Sequence, residues 1–213
     1  MQEVEYISHM GSDTQIAMAA RISFANEREA RSLDDNIKLL NYLAKHKHWS
    51  PFAHTAVTLR MRAPIPIRTQ CMKHAVGFVI NEESRRYISS EPTFFFPDWR
   101  GAVKNKKQGS GDVLEAGDWF EAETCYSEGI EEAKKRYLRL LEVGVCEEQA
   151  RFILPQGTEV NWYWTGSLAA YARFCHQRLD SHAQVEIQEL AKEVSDIIKP
   201  LFPVAWAALV EGE

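Results

Sequence analysis

The sequence predicts an α+β fold in a single domain over residues 1–213. Some segments carry apolar residues at helical spacing and others alternate apolar with polar residues, but the two kinds do not follow each other regularly as in a parallel α/β protein. No repeat, linker or low-complexity segment divides the chain, and a hydrophobic content of 45% is ample for a buried core.

The first half of the chain is predicted to contain two strands and three helices. Ser32 and Asp35 form a capping box at the start of one helix, and β-branched alternation marks the second strand, which prolines end near Pro64. The predicted elements are a strand over 4–7, a helix over 14–24, a helix over 32–43, a strand over 54–61 and a short helix over 67–76.

The second half is predicted to be mainly helical. A long amphipathic helix stands out by its apolar spacing and its many charges, and a second capping box, Ser181 to Gln184, is predicted to open a late helix. The predicted elements are an extended segment over 87–96, a loop over 103–113, helices over 118–143 and 147–154, a strand over 160–164, helices over 167–179 and 181–198, and a short apolar turn or helix at the tail.

Charge and cysteine usage narrow the function classes. The formal net charge of -5 and the pI near 5.8 argue against nucleic acid as a partner, although the basic residues Lys104, Lys106 and Lys107 leave RNA binding as a weaker idea. Four scattered cysteines without a CxxC pair predict a reducing, cytoplasmic setting. No apolar run has the length of a membrane span, and the first residues do not resemble a signal peptide.

Three polar clusters are candidates for binding anions, and each has a plainer interpretation. The run 81–86 (NEESRR) is either a solvated charged turn or a wall where arginine forks meet a phosphate. Gln70, Lys73 and His74 share one face if their segment is helical, and that face either binds a ligand or is merely polar. The break over 180–182 between two helices either exposes N–H groups to an anion or only holds a helix cap.

Two further patterns are interpreted as structural. Cys175 and His176 are adjacent on a helix and diverge by about 100° around its axis, so Cys175 is predicted to be a core residue and not a nucleophile. His182 and Glu186 have the spacing of two metal ligands, but no third ligand accompanies them, and no metal site is predicted.

The chain resembles the flavin-dependent thymidylate synthases, the ThyX family. The resemblance rests on an ordered series of segments that runs over most of the chain: 50–54 (SPFAH), 63–65 (API), 70–74 (QCMKH), 81–87 (NEESRRY), 150–155 (ARFILP), 165–168 (TGSL), 173–174 (RF), 178–184 (RLDSHAQ) and 186–187 (EI). The family signature is Arg-His-Arg, seven residues and Ser. Here Lys73-His74-Ala75 stands in its place, with eight residues before Ser84.

The resemblance implies a ThyX-like domain, with an antiparallel sheet packed with long helices, that assembles as a homotetramer with shared active sites. It also implies conversion of dUMP to dTMP, with methylenetetrahydrofolate as carbon donor, NADPH as reductant, FAD as hydride carrier and no cysteine nucleophile. The altered signature motivates an alternative, a family member that binds flavin and nucleotide as a regulatory module without turnover.

The site residues implied by the resemblance fall into three groups. Arg178 is the catalytic residue, placed to stabilise charge on the uracil ring. The dUMP-binding residues are Gln70, Lys73, Glu82, Glu83, Ser84, Arg85, Arg86, Arg151 and Arg178. The FAD-binding residues are His54, Lys73, His74, Glu82, Ser167 and Arg173.

Overall fold

The computed structural model describes residues 2–25, 32–103 and 109–212. Four strands form one antiparallel sheet in the order β1-β2-β4-β3. The strands are β1 (Glu3–Met10), β2 (Ala56–Pro64), β3 (Phe78–Glu82) and β4 (Glu159–Gly166). The helices are α1 (Asp13–Arg21), α2 (Leu33–Lys45), α3 (Ile65–Met72), α4 (Ala116–Glu142), α5 (Glu147–Ala150), α6 (Leu168–Arg178), α7 (Val185–Ile198) and α8 (Pro203–Trp206). The mixed class and the antiparallel sheet are as predicted.

One face of the sheet carries the hydrophobic core. Along most of β2 and over the second half of β4 every second side chain is buried, as the alternation predicted, and Leu59 stands opposite Trp164 in the register. Helices α6 and α7 cover this face, and Tyr171 and Phe174 of α6 meet the Trp164 ring edge-on. The core therefore fixes α6, which carries several of the predicted site residues, against the central strand.

The predicted helix over 67–76 is wrong at its end, and β3 was not predicted. Helix α3 stops at Met72, Gly77 adopts a φ of +80°, and the chain then enters β3. A left-handed φ suits glycine because it has no Cβ. Strand β3 is short and half-buried, and Phe78 stacks on Trp164 with ring centroids 4.1 Å apart. The stabilising partner of β3 is thus about 80 residues away in sequence, where local periodicity gives no signal.

Of the two predicted capping boxes, one is present. Ser32 and Asp35 make both reciprocal hydrogen bonds at the start of α2. The box at Ser181 is wrong, because α7 begins at Val185 with Gln184 as its N-cap, and no side chain caps it. The Asp180 carboxylate instead accepts a hydrogen bond from the backbone N–H of His182 at 2.7 Å.

Two other predictions concern segments outside the main helices and strands. Residues 87–96 form no strand beyond one bridge between Phe94 and Thr158. Residues 104–108 of the predicted loop, which include its three lysines, lie outside the described residues. No helix in the described ranges is both long and apolar enough to span a bilayer.

Replacing Gly166 by alanine should destabilise the fold by about 1–3 kcal/mol, since an added Cβ would lie 2.4 Å from the Phe78 ring and force β3 away from β4. Urea denaturation followed by fluorescence measures this change. Gly129→Ala is the matched control, because that position is in α4 with no atom within 4 Å of the added methyl group, and it should be stabilising by about 0.5–1 kcal/mol. Equal stability of the two variants would contradict the packing argument.

Candidate functional site

The predicted site residues lie in two separate clefts on either side of α3. One, here called the α3–α6 cleft, holds Gln70, His74, Arg173 and Arg178. The other, the α3–β3 cleft, has a volume of about 240 Å³ and is lined by residues that include Arg68, Glu82, Glu83, Ser84, Arg85 and Arg151. Arg68 and Gln70 diverge by about 200° around the helix axis, so α3 presents them to different sides.

Arg178, at the end of α6, is held in a fixed orientation. Its Nε donates to Nε2 of His74 at 2.9 Å, and its Nη1 approaches Oε1 of Gln70 at 3.4 Å. Gln70 in turn donates to Oε1 of Gln184 at 2.8 Å. Gln184, which was predicted only as a capping residue, therefore belongs to this cleft. The sequence feature that pointed to it was its position at the end of the RLDSHAQ segment.

His74 is a neutral acceptor in this arrangement. Arginine has only donors, so a hydrogen bond from Arg178 requires a His74 Nε2 without a proton. Burial, followed by the positive charges of Arg178 and Arg173, lowers the pKa of His74 from 6.5 to about 4. The ring also packs edge-on against Phe174, with centroids 5.1 Å apart. His74 thus orients Arg178 without competing for negative charge.

The start of α6 completes the α3–α6 cleft. Ser167 is the N-cap, and its backbone N–H donates to the carbonyl of Gly77 at 3.3 Å. Arg173 donates to the carbonyl of Val76 in the same turn. The hydroxyl of Thr55 accepts from the N–H of Leu168 at 2.9 Å, which places the neighbouring, exposed His54 beside the start of α6. The structure therefore brings most of the predicted flavin-binding residues to one side of α3.

Glu82 is different, because it lies in the α3–β3 cleft. Its carboxylate is 3.0 Å from Nε of Arg68, although the pair is not aligned as a hydrogen bond. Burial raises the pKa of Glu82, and this effect outweighs the opposing charges of Arg68 and Arg151. Arg68 was not among the predicted site residues. The only sequence feature that pointed to a role at the site was its polar side chain two positions before Gln70.

The remaining predicted nucleotide-binding residues are less closely grouped. Glu83 accepts from Asn161 at 3.1 Å, and Arg85 donates to the carbonyl of Ser90 at 2.6 Å. Arg86 reaches Glu148 at 3.4 Å and is not among the residues that line the α3–β3 cleft. Lys73 follows α3 as an exposed residue.

Neither of the two buried cysteines is suited to act as a thiolate nucleophile. Cys71 and Cys175 are fully buried, and burial raises the pKa of Cys71 to about 12 and that of Cys175 still further. The prediction that Cys175 is a core residue is confirmed. Among the described residues, no group of three or more His, Cys, Asp or Glu side chains is arranged to hold a metal ion.

Titration of His74 should make the fold less stable in acid. Its pKa is lower in the folded protein than its ordinary value of 6.5, so the stabilisation is complete above pH 6.5 and is lost as the pH falls toward 4. Allowing for solvent screening, we expect a loss of about 1–2 kcal/mol. The measurement is the unfolding free energy of wild type and His74→Asn from pH 7 to 4. Asparagine retains an acceptor for Arg178 but does not titrate, so parallel curves would contradict this assignment.

The fold and the clefts define the class: an α+β protein with arginine-containing clefts suited to anionic organic ligands, in which the cysteines of α3 and α6 are buried. The chain belongs to the family described as thymidylate synthase complementing protein, whose model matches residues 5–204. The resemblance noted from the sequence is thereby confirmed.

Curated relatives and solved structures agree with this membership. The flavin-dependent thymidylate synthase of Thermosipho melanesiensis is 35% identical over 203 residues, covering 95% of this chain and 87% of the relative. The enzyme of the same name from Thermus thermophilus is 33% identical, with 98% and 75% covered. The UMP/dUMP methylase PolB of Streptomyces cacaoi, solved with 5-Br dUMP, superposes with a TM-score of 0.89 at 30% identity and covers 98% of this chain and 94% of its own.

Proposed function

We propose that this protein is a flavin-dependent thymidylate synthase that converts dUMP to dTMP, with methylenetetrahydrofolate as carbon donor and NADPH as reductant. The observation that carries the proposal is Arg178, which a neutral His74 and Gln70 hold in a fixed orientation. Membership of the family and the names of its relatives support the same reaction.

Arg178 is proposed to activate the uracil ring without a covalent bond to the protein. For C5 of uracil to attack the carbon donor, negative charge must spread onto the carbonyl oxygens and N3. A fixed guanidinium beside these atoms stabilises that charge as it develops. The buried, protonated thiols of Cys71 and Cys175 agree with a route that needs no thiolate.

The α3–α6 cleft suits an anionic flavin. Among the residues that the structure describes, Lys73, Arg173 and Arg178 have no carboxylate partner, so their charges are available to the phosphates of a nucleotide or dinucleotide. We assign FAD to His54, Lys73, His74, Ser167 and Arg173. When bound, FAD supplies hydride transfer from NADPH. Residue 75, an alanine, offers no side-chain contact there.

The α3–β3 cleft is proposed to bind dUMP through Glu82, Glu83, Ser84, Arg85 and Arg151, with Arg86 at its edge. Within one chain this cleft and Arg178 face opposite sides of α3, so one subunit does not assemble a complete site. We propose a homotetramer in which one subunit contributes the α3–α6 cleft and another the α3–β3 cleft, with Glu82 between the two ligands. This arrangement uses every predicted residue without moving α3.

The proposed function predicts that the purified protein is yellow or takes up added FAD, with a flavin absorbance band. It also predicts that dTMP forms from dUMP and methylenetetrahydrofolate only when NADPH is present. A protein that binds no FAD contradicts the proposal. Binding of FAD and dUMP without dTMP formation would instead identify a regulatory binding module, the alternative that Ala75 motivates.

A further inference from the structure

A cavity of about 340 Å³ lies between α7, Gln2 just before β1, and the segment 94–100. It shares no lining residue with the α3–β3 cleft and contains none of the Arg178 group. Phe94, Phe95 and Phe96 give it an apolar wall, and four carboxylates face them: Asp98, Glu186, Glu189 and Glu193.

The charges in this cavity are unbalanced. Among the described residues that line it, Arg100 is the one cation, and it donates to Oε1 of Glu186 at 2.5 Å and to the hydroxyl of Ser110 at 2.7 Å. Asp98 and Glu189 form no salt bridge in the described part of the chain, and Glu193 accepts only the N–H of Val4 at 3.1 Å.

Burial and the neighbouring carboxylates both raise the pKa of two glutamates at this cavity. Burial first, and then the charges of Glu186 and Asp98, raise the pKa of Glu189 against the lowering effect of Arg100. Burial and the charges of Glu189, Glu3 and Asp196 likewise raise the pKa of Glu193, against its hydrogen bond from Val4. A bound cation would relieve this repulsion.

Two buried acceptors at the cavity also lack donors. Gln2 is only 7% exposed; its amide nitrogen donates to the carbonyl of Glu186 at 3.1 Å, but its Oε1 accepts from no residue described by the structure. The second oxygen of Glu186, which is 6% exposed, is unsatisfied in the same way. Buried acceptors are normally hydrogen-bonded, so both oxygens are open to a ligand that brings hydrogen-bond donors.

The spacing of the carboxylates favours an extended cation. Glu186, Glu189 and Glu193 occupy one face of α7, with steps of about 4.5 and 6 Å along the axis. These steps are close to the separation of amino groups joined by three or four methylenes. The carboxylates do not converge as metal ligands would among the described residues.

We propose that this cavity binds a linear polyamine. Its ammonium groups pair with the carboxylates of α7 and Asp98 and donate to the orphan oxygens of Gln2 and Glu186, and its methylenes pack on the phenylalanine wall. The site is independent of the proposed dUMP and FAD clefts.

The test is isothermal titration calorimetry with spermidine on the intact protein, at constant ionic strength. We expect binding to wild type that is weakened at least about tenfold in Glu189→Gln/Glu193→Gln. The matched control, Glu121→Gln/Glu128→Gln, removes two exposed charges from α4 and should bind spermidine as wild type does. Equal weakening in both variants, or no binding to wild type, would overturn the proposal.

A second measurement requires no variant. The diamine 1,8-diaminooctane has the length of spermidine but lacks its central ammonium group, so it should bind wild type several-fold more weakly. Equal affinity for the two amines, or equal competition by magnesium at the same concentration, would show general charge screening and sink the polyamine site. Binding of dUMP and FAD, measured in parallel, should be unchanged by Glu189→Gln/Glu193→Gln.

Discussion

Replacing Arg178 by alanine is expected to lower dTMP formation by a factor of about 10²–10³ while FAD remains bound. The guanidinium is the group that would stabilise charge on the uracil ring, and His74 and Gln70 hold it ready before any ligand arrives. The loss should therefore fall on turnover. Single-turnover formation of dTMP with saturating dUMP, together with the flavin spectrum, measures both quantities.

Two further variants test whether the loss of turnover is specific to the guanidinium group of Arg178. Arg178→Lys keeps the charge but loses the fork that reaches His74 and Gln70 together, so it should recover only part of the rate. Arg139→Ala removes an exposed arginine of α4 that pairs with Glu142, and it should leave the rate unchanged. Turnover near the wild-type rate in Arg178→Ala would show that the uracil ring is activated elsewhere.

The elements predicted correctly are those whose signals are local. The capping box at Ser32 requires only four consecutive residues, and the amphipathic spacing of α4 is repeated over several turns. Strand β3 is stabilised by pairing with β4 and by stacking of Phe78 on Trp164, and both contacts are remote in sequence. Its apolar run therefore did not distinguish a strand from a connector.

For the candidate site, the sequence predicted several of the residues but not their arrangement around α3. The ordered motifs drew attention to Gln70, His74 and Arg178, which the structure brings into contact. They did not reveal that α3 separates these residues from the 82–85 segment, since the direction of each side chain depends on where the helix lies in the fold. Arg68 and Gln184 were missed for the same reason, because their partners Glu82 and Gln70 are identified only by three-dimensional contacts.

The separation of the clefts predicts a second large effect: two variants that are inactive alone should recover activity when they are mixed in one assembly. Arg178→Ala disables the α3–α6 cleft, and Arg151→Ala removes a cation from the α3–β3 cleft. Each variant alone should lose about 10²-fold or more in kcat/KM for dUMP. If each site combines one cleft from each of two subunits, a random 1:1 assembly contains about one quarter of sites with both clefts intact. Co-expression with two affinity tags followed by tandem purification provides such assemblies.

A same-cleft mixture is the decisive control. Arg178→Ala and Gln70→Ala both damage the α3–α6 cleft, so no combination of these chains restores an intact one, and the mixture should stay inactive. Recovery in the cross-cleft mixture alone requires that the clefts come from different chains.

If neither mixture recovers although mixed assemblies form and the separate variants fold, each chain must build its own site. Helix α3 would then have to turn or shift on ligand binding to bring Arg178 toward the 82–85 segment. The tetramer proposal would fail while the assignment of Arg178 stood.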